Sequence, residues 1–397
     1  MKRITKLSLV AALSLSSLVT IANANESLAD AFTNGKIKGQ IKAVYSDSNF
    51  LGNAKSDEIT TAGGSLNYIS GSYYGFITGA TFQTSHILTE DNNNGVFASD
   101  LDGQGSVLSE VYIDYKLSNT SVKVGRQFLN TPLVSSAIDG KSSESLVKDS
   151  FEAYVLTNTD IPDTVLVAGY VDKYQAKATT GNIGNFEQFQ DGAYTFYVKN
   201  NSIKDLTLQA QYLNVNAIAA NSDIKDLYLQ ADYELAGHTL SAQYLKSKDE
   251  SKGANLEDGQ LFGLRAMGPL GIGKLGYIAA YNSSTKDGEV NLGAGTGTSD
   301  TPFTAMPVNG GGVPVRADTD TLVGGIIVPI YDVTFIPYAG KSSSKTHPIG
   351  DVTAYGAMAI YPINKNLLVK ANYEHVEVEK VITENTDVSR VYLSYSF

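Results

Sequence analysis

The sequence predicts an all-β fold: a transmembrane, antiparallel, up-and-down β-barrel of eighteen strands with short periplasmic turns and long extracellular loops. Segments of ten to fourteen residues alternate apolar and polar side chains, and short and long connections alternate between them. Alternation is the period of a strand whose two faces meet different surroundings. Turns that are short at one end and long at the other are typical of a membrane barrel.

The first element is an N-terminal segment that we expect to be removed. Residues 1–24 carry three basic residues, then an apolar run, and end in Ala22-Asn23-Ala24. This is the pattern of a secretory signal peptide cleaved after Ala24. The apolar run is too short and too interrupted by serine to span a membrane as a helix. The mature chain, residues 25–397, is therefore predicted to be one barrel exported to the bacterial outer membrane.

Charge and composition exclude several classes of function. The whole chain has a net charge of −11, and without the signal its 27 Lys and Arg face 41 Asp and Glu, a net charge of −14. Such an acidic chain is not expected to bind nucleic acid. It contains no cysteine, so it has neither disulfides nor thiolate chemistry. We expect no cofactor and no metal.

Individual strands show the two faces clearly. In the last segment Val391, Leu393, Tyr395 and Phe397 lie on one face, with polar residues between them. The segments that begin at Leu206 and Leu227 repeat the pattern. Since a barrel must close, the last strand is predicted to pair with residues 36–45.

The connections set the number of strands. Short turns are predicted near residues 72–73, 118–120, 161–163, 200–204, 236–237, 268–271, 331–332 and 364–366. Long loops are predicted near 48–57, 88–104, 131–148, 176–190, 217–225, 247–258, 287–318, 343–349 and 379–386. Eight turns and nine loops join eighteen strands, and an even number places both chain ends in the periplasm.

Aromatic residues near the strand ends fall on the apolar face, as expected of interfacial girdles. They are Tyr45, Tyr115, Tyr212, Tyr233, Tyr281, Tyr373, Tyr395 and Phe397.

The opposite face would line the interior, and it is charged. It carries seven basic and six acidic residues: Lys38, Lys42, Glu110, Asp114, Lys116, Lys123, Glu152, Asp232, Glu234, Arg265, Lys370, Glu374 and Arg390. Arg126 is added to this pore lining as an exception. Strict alternation with Val122 and Val124 aims it at lipid, so a bulge near Gly125 or a position at the rim is required.

The third long loop, Thr131 to Lys148, is a candidate constriction. Its small and polar residues suit a segment folded into the pore, with Asp139, Lys141, Glu144 and Lys148 as its charged members. An ordinary surface loop fits the same composition equally well.

Two segments resemble OprD-like (Opr family) outer-membrane porins. They are SLADAFTNGKIKGQIKAVY, from Ser27 to Tyr45, and GRQFLNTPLV, from Gly125 to Val134. The resemblance implies a passive channel narrowed by the third loop, with Lys42 as a basic residue of the first strand and a basic wall that guides small anionic or carboxylate-bearing solutes. The chain departs from the family in having few arginines and IDGK where Asn-Asp-x-Arg is typical, so specific uptake of basic amino acids is not implied.

The leading hypothesis is thus a porin that passes small hydrophilic solutes and ions with weak charge selectivity. Its partners would be outer-membrane lipid, lipopolysaccharide and those solutes; a homotrimer stays open. One alternative is a secreted or surface-attached β-rich adhesin. Another is a barrel hydrolase with a rim active site, for which His375 beside Asp351 or Asp387 is the pairing to test.

Overall fold

The computed structural model describes residues 27–50, 56–95, 97, 100–136, 145–216, 223–250, 257–293, 301–307, 312–381 and 385–397. The predicted signal peptide lies outside this part of the chain. One helix precedes the strands, α1 (Leu28–Thr33). The strands are β1 (Lys36–Phe50), β2 (Asp57–Ile69), β3 (Phe76–Asp91), β4 (Gly105–Leu117), β5 (Thr120–Gln127), β6 (Asn130–Thr131), β7 (Val134–Ser135), β8 (Ser150–Asn158), β9 (Thr164–Gln175), β10 (Phe186–Asn200), β11 (Leu206–Asn216), β12 (Asp223–Leu235), β13 (His238–Asp249), β14 (Gly259–Pro269), β15 (Gly276–Ser284), β16 (Thr319–Ile330), β17 (Val333–Ser344), β18 (Val352–Pro362), β19 (Leu367–Val378) and β20 (Thr386–Ser396).

Eighteen of these strands form one closed antiparallel barrel, which confirms the predicted fold class and strand number. Each strand pairs with its neighbour in the chain, and β6 and β7 form a separate small hairpin. Closure joins the two ends of the chain, because β1 pairs with β20 from Gln40 opposite Ser396 to Phe50 opposite Thr386. The predicted seam between the first and last strands is therefore confirmed.

The connections follow the predicted rhythm. The eight short turns and nine long loops lie at opposite ends of the barrel, which we call the short-turn end and the long-loop end. Ala236 and Gly237 form a two-residue turn with φ of 51° and 86° between the paired residues Leu235 and His238. Positive φ at both central positions matches the right-handed twist of the flanking strands.

The two faces of the barrel wall have opposite chemistry. Outward side chains are apolar and exposed, and they include Ile41, Leu229 and Phe262. All eight predicted girdle residues are exposed on this face. Inward side chains include polar residues with almost no exposure, such as Gln83 and Gln211. A closed barrel satisfies its backbone hydrogen bonds around the whole ring, so an apolar outer belt is compatible with lipid.

Helix α1 packs against the outside of the short-turn end. Ser27 caps it by accepting a hydrogen bond from the Asp30 amide, and the ring of Phe32 stacks on that of Tyr68. The Tyr68 hydroxyl donates to the Phe32 carbonyl at 2.7 Å. No helix in the described ranges is long and apolar enough to cross a membrane.

Candidate pore and its lining

The inward face is fixed by the register of the strands. Lys42 on β1 lies opposite Ser394, and Lys370 on β19 lies opposite Tyr392, whose other neighbour is Val44. Each step of two residues along a strand returns to the same face. Lys42, Lys370 and Arg390 therefore occupy successive inward rows on three adjacent strands.

These residues form a basic column that rises from the short-turn end through Lys38, Lys42, Lys370 and Arg390. The Lys370 ammonium lies 5.2 Å from the centre of the Tyr392 ring. Arg390 is buried, and its guanidinium donates to Asp100 of the second long loop (residues 92–104) at 3.1 Å. The arginine is therefore covered by a loop as well as facing inward.

Acidic residues lie on β12, nine strands around the eighteen-strand ring from β1 and therefore across the barrel from Lys42. Asp232 accepts hydrogen bonds from Ser241 and Gln230 at 2.6 Å each. Arg265 on β14 lies 3.8 Å from the Asp232 carboxylate. Glu234 accepts a hydrogen bond from the Thr239 hydroxyl at 2.6 Å. All of these predicted positions face inward.

A second charged group lies on β4 and β5. Glu110 accepts a hydrogen bond from Thr81 at 2.5 Å and lies 3.7 Å from the Lys123 ammonium. Asp114 and Lys116 form a pair at 3.9 Å. A register shift between β3 and β4 makes Ser109 an extra residue of β4. This bulge lets Glu110 face inward while the next residue, Val111, faces outward. On β19, Glu374 also faces inward but is fully buried and accepts a hydrogen bond from Tyr338 at 2.8 Å.

Arg126 and Glu152 do not line the pore, contrary to the prediction. Both strand pairings of β5 stay in register through Arg126, which is opposite Val111 on one side and Glu152 on the other. Val111 is an exposed outward residue, so Arg126 and Glu152 also point outward. Arg126 lies at the long-loop end of β5, which agrees with the predicted rim position. Its charge is partly compensated there by Glu152, which binds Arg126 at 2.9 Å and also Lys173 at 2.7 Å.

Some inward charged residues were not predicted, and Lys199 and Asp226 are two of them. Lys199 on β10 lies on the inward face, opposite Gln209 on one side and Val165 on the other. It directly precedes the short turn predicted at residues 200–204. Asp226 on β12 is buried and accepts a hydrogen bond from Ser247 at 2.6 Å. Strict continuation of the alternation from Gln230 to Asp226 would have identified the second of these.

The described ends of the third long loop (residues 128–149) contact the inner wall. The Leu133 amide donates to Gln211 on β11 at 2.8 Å, and the Lys148 amide donates to Gln83 on β3 at 2.9 Å. Both glutamines face inward, on opposite sides of the strands that carry the loop. Both ends of the loop therefore lie inside the barrel wall. Asp139, Lys141 and Glu144 lie outside the described residues.

The seventh long loop (residues 285–318) also enters the barrel, which the sequence did not indicate. Gln243 on β13 accepts a hydrogen bond from the Phe303 amide at 2.8 Å, and Asn282 on β15 accepts one from the Thr304 amide at 3.0 Å. The two inward loops touch, because the Thr301 hydroxyl donates to the Pro132 carbonyl at 2.8 Å. The Phe303 ring lies 4.3 Å from the Arg265 guanidinium.

Of the candidate rim pairings, the structure brings together His375 and Asp387, at 2.8 Å. Asp351 is instead bound to Lys341 at 2.9 Å, and this ion pair lowers the pKa of its carboxyl. The second ring nitrogen of His375 faces Glu377 at 3.4 Å. A hydrolytic base needs that nitrogen directed at a nucleophile, so a carboxylate in this position does not support catalysis.

Solved structures of three bacterial proteins share this fold. OpdO of Pseudomonas aeruginosa matches with a TM-score of 0.73 at 16% identity, over 93% of this chain and 98% of that one. OccK8 (OprE) of the same organism matches with a TM-score of 0.72 at 17% identity, over 92% and 99% of the two chains. OccAB1 of Acinetobacter baumannii matches with a TM-score of 0.77 at 13% identity, over 94% and 99%.

These likenesses confirm the OprD-like resemblance at the level of fold. No protein-family model and no curated protein matches the sequence.

Proposed function

We propose that this protein is an outer-membrane porin through which small hydrophilic solutes and ions diffuse passively. One observation carries the proposal: a closed eighteen-strand barrel with an apolar outer belt has charged residues along its inner wall. Barrels of 16 to 18 strands are wide enough to enclose a water-filled channel. On the lipid face the same charges would cost about 2 to 4 kcal/mol each at the bilayer midplane for Arg or Lys.

The permeation path is proposed to narrow where the third and seventh loops meet. Gln211 holds the third loop against one wall, and Gln243 holds the seventh loop beside it. The basic column through Lys42 then faces the acidic strand that carries Asp232 and Glu234. Opposed charges across a narrow passage orient dipolar solutes and disfavour apolar ones.

Charge selectivity is proposed to be weak. Three inward carboxylates have an inward cation within 4.0 Å: Glu110 with Lys123, Asp114 with Lys116, and Asp232 with Arg265. A paired charge acts on a passing ion as part of a dipole, whose potential falls faster than that of a single charge. Salt screens what remains over about 8 Å at physiological ionic strength.

Recordings from the purified barrel in a planar bilayer under a salt gradient test both the proposed channel and its proposed weak selectivity. We expect ohmic single-channel currents and a reversal potential close to zero. A large reversal potential of either sign would refute weak selectivity. Absence of channels from protein that shows the heat-modifiable gel mobility of a folded barrel would refute the porin itself.

Export after cleavage at Ala24 and residence in the outer membrane are parts of the same proposal. Mass spectrometry of the mature protein should show Asn25 as the first residue. Fractionation should place it with outer membranes after a urea wash, whereas an adhesin attached to the surface would be released. The apolar outer belt supports retention in the outer membrane.

A further inference from the structure

Three lysines come together on the outer face of the barrel at the long-loop end. Lys225 on β12 lies directly opposite Lys248 on β13, and Lys246 is the next residue below Lys248 on the same face. Their side chains are between 36% and 50% exposed. They point away from the pore, because Asp226 and Ser247, which alternate with them, are buried inside the barrel.

Facing lysines are an unfavourable arrangement that needs a compensating charge. Like charges placed directly opposite each other on neighbouring strands destabilise a sheet. Glu250 compensates in part, since its carboxylate binds Lys225 and also Lys248, the latter at 2.8 Å. The two ammonium groups lower the pKa of Glu250 to about 2, so it stays ionised. Lys246 binds Asp258 at 2.7 Å.

The lysines keep the capacity to bind a further anion. An ammonium group has three donors, and a single carboxylate contact uses only part of them. The nearby acidic residues are Glu250, Asp258 and Asp223, which is two residues from Lys225 on the same strand. With three carboxylates beside three ammonium groups the cluster has no net charge, so a further anion would bind through ammonium donors that the carboxylate contacts leave unused. At other places on this rim a carboxylate accepts from a tyrosine hydroxyl. Examples are Asp320 beside Tyr281 and Asp387 beside Tyr373.

Directly below the lysines the surface is apolar. Leu227 lies opposite Lys246, Leu229 lies opposite Tyr244, and the Tyr244 and Phe262 rings are 4.9 Å apart. The Tyr244 hydroxyl donates to Gln260 at 3.0 Å, at the level of Lys246. Aromatic residues of this kind mark the boundary between acyl chains and headgroups. The lysines therefore lie at headgroup level and the apolar strip at acyl-chain level.

We propose that Lys225, Lys246 and Lys248 form a binding site for lipid A, the phosphorylated and multiply acylated glycolipid that anchors lipopolysaccharide. The lysines would bind a phosphate, and the strip below them would contact an acyl chain. The inference rests on the proposed outer-membrane location, because the long-loop end then faces the outer leaflet. It is independent of the pore lining, which lies on the other side of the wall.

The test compares full-length barrels in detergent by native mass spectrometry during titration with lipid A. The variant is K225Q/K246Q/K248Q. Its matched control is K204Q/K274Q/K365Q, which removes the same charge from exposed turns at the short-turn end. We expect the first variant to bind lipid A about tenfold more weakly than wild type, since exposed ion pairs contribute only modestly. The control should bind like wild type.

Further comparisons test whether binding depends on the lipid A phosphates and on the lysine charges. Dephosphorylated lipid A should bind wild type and variant equally, and the charge-preserving K225R/K246R/K248R variant should retain binding. Unchanged lipid A affinity in the glutamine variant, or an equal loss in the control, would overturn the site. An equal loss of phosphatidylglycerol binding would overturn lipid A as its ligand. Single-channel conductance of the same samples tests the proposed porin separately, and we expect it to be unchanged.

Discussion

Replacement of Gln211 by leucine should loosen the third loop and change the current through the pore. The side chain is 1% exposed and holds the loop at two points. It accepts from the Leu133 amide and donates to the Thr131 hydroxyl, both at 2.8 Å. It also donates to Thr195 on the neighbouring strand at 2.9 Å. Leucine has a similar size but makes none of these bonds.

The size of the effect follows from the buried Leu133 amide, because Gln211→Leu removes the side-chain oxygen that accepts its hydrogen bond. A buried donor without its partner costs about 1 to 3 kcal/mol. If the loop has an attached and a released state, the released fraction rises by about 5-fold to 150-fold. Single-channel recording should then show added noise or brief states of higher conductance.

The control for this experiment is Gln209→Leu. Gln209 lies two residues away on the same face of β11, and it forms hydrogen bonds with the wall residues Tyr197 and Asp232. We expect its open-channel noise to match wild type. Identical noise and conductance in the Gln211→Leu variant, the Gln209→Leu variant and wild type would show that the third loop does not narrow the pore.

Three further predictions concern the other parts of the barrel. Gln243→Leu removes the side chain that holds the Phe303 amide, so it should raise channel noise as Gln211→Leu does, measured in the same bilayers. Lys42→Glu changes the inner wall by two charges and should shift the reversal potential toward cation selectivity; no shift would remove Lys42 from the lining. Leu229→Arg places a charge on the lipid face beside the interfacial Tyr244, so in urea unfolding it should destabilise the barrel by less than the ~2 to 4 kcal/mol of a midplane site, but by more than Gln230→Arg, which faces inward.

The fold could be predicted because lipid and water impose a period of two on every strand. The same alternation that identified the belt placed Lys42, Asp232 and Arg265 on the inner face. The positions of the turns also followed, since a strand that crosses a bilayer has a nearly fixed length. The face of each strand and the approximate position of each turn were therefore accessible from the sequence, whereas the register shifts, such as the one beside Glu110, were not.

The inward loops could not be predicted in the same way. The contact between Gln243 and Phe303 joins residues 60 positions apart, and no periodic pattern marks it. The glutamines that hold the loops look like any other polar inward residue. The assignment of Arg126 to the pore lining was wrong for a different reason. An outward charge at the rim is tolerated where Glu152 neutralises it, so charge alone does not assign a face.

The acidity of the chain does not by itself imply a cation-selective pore. On the inner wall the carboxylates of Glu110 and Asp232 have cations at 3.7 and 3.8 Å. By contrast, Asp320 and Asp387 lie at the outer rim, where tyrosine hydroxyls donate to them. Charges there are separated from the pore by the wall and screened by salt. The net charge of −11 is therefore a poor guide to the charge along the path of a solute, and under the proposed function the sign of selectivity would be set by inner-wall residues such as Lys42.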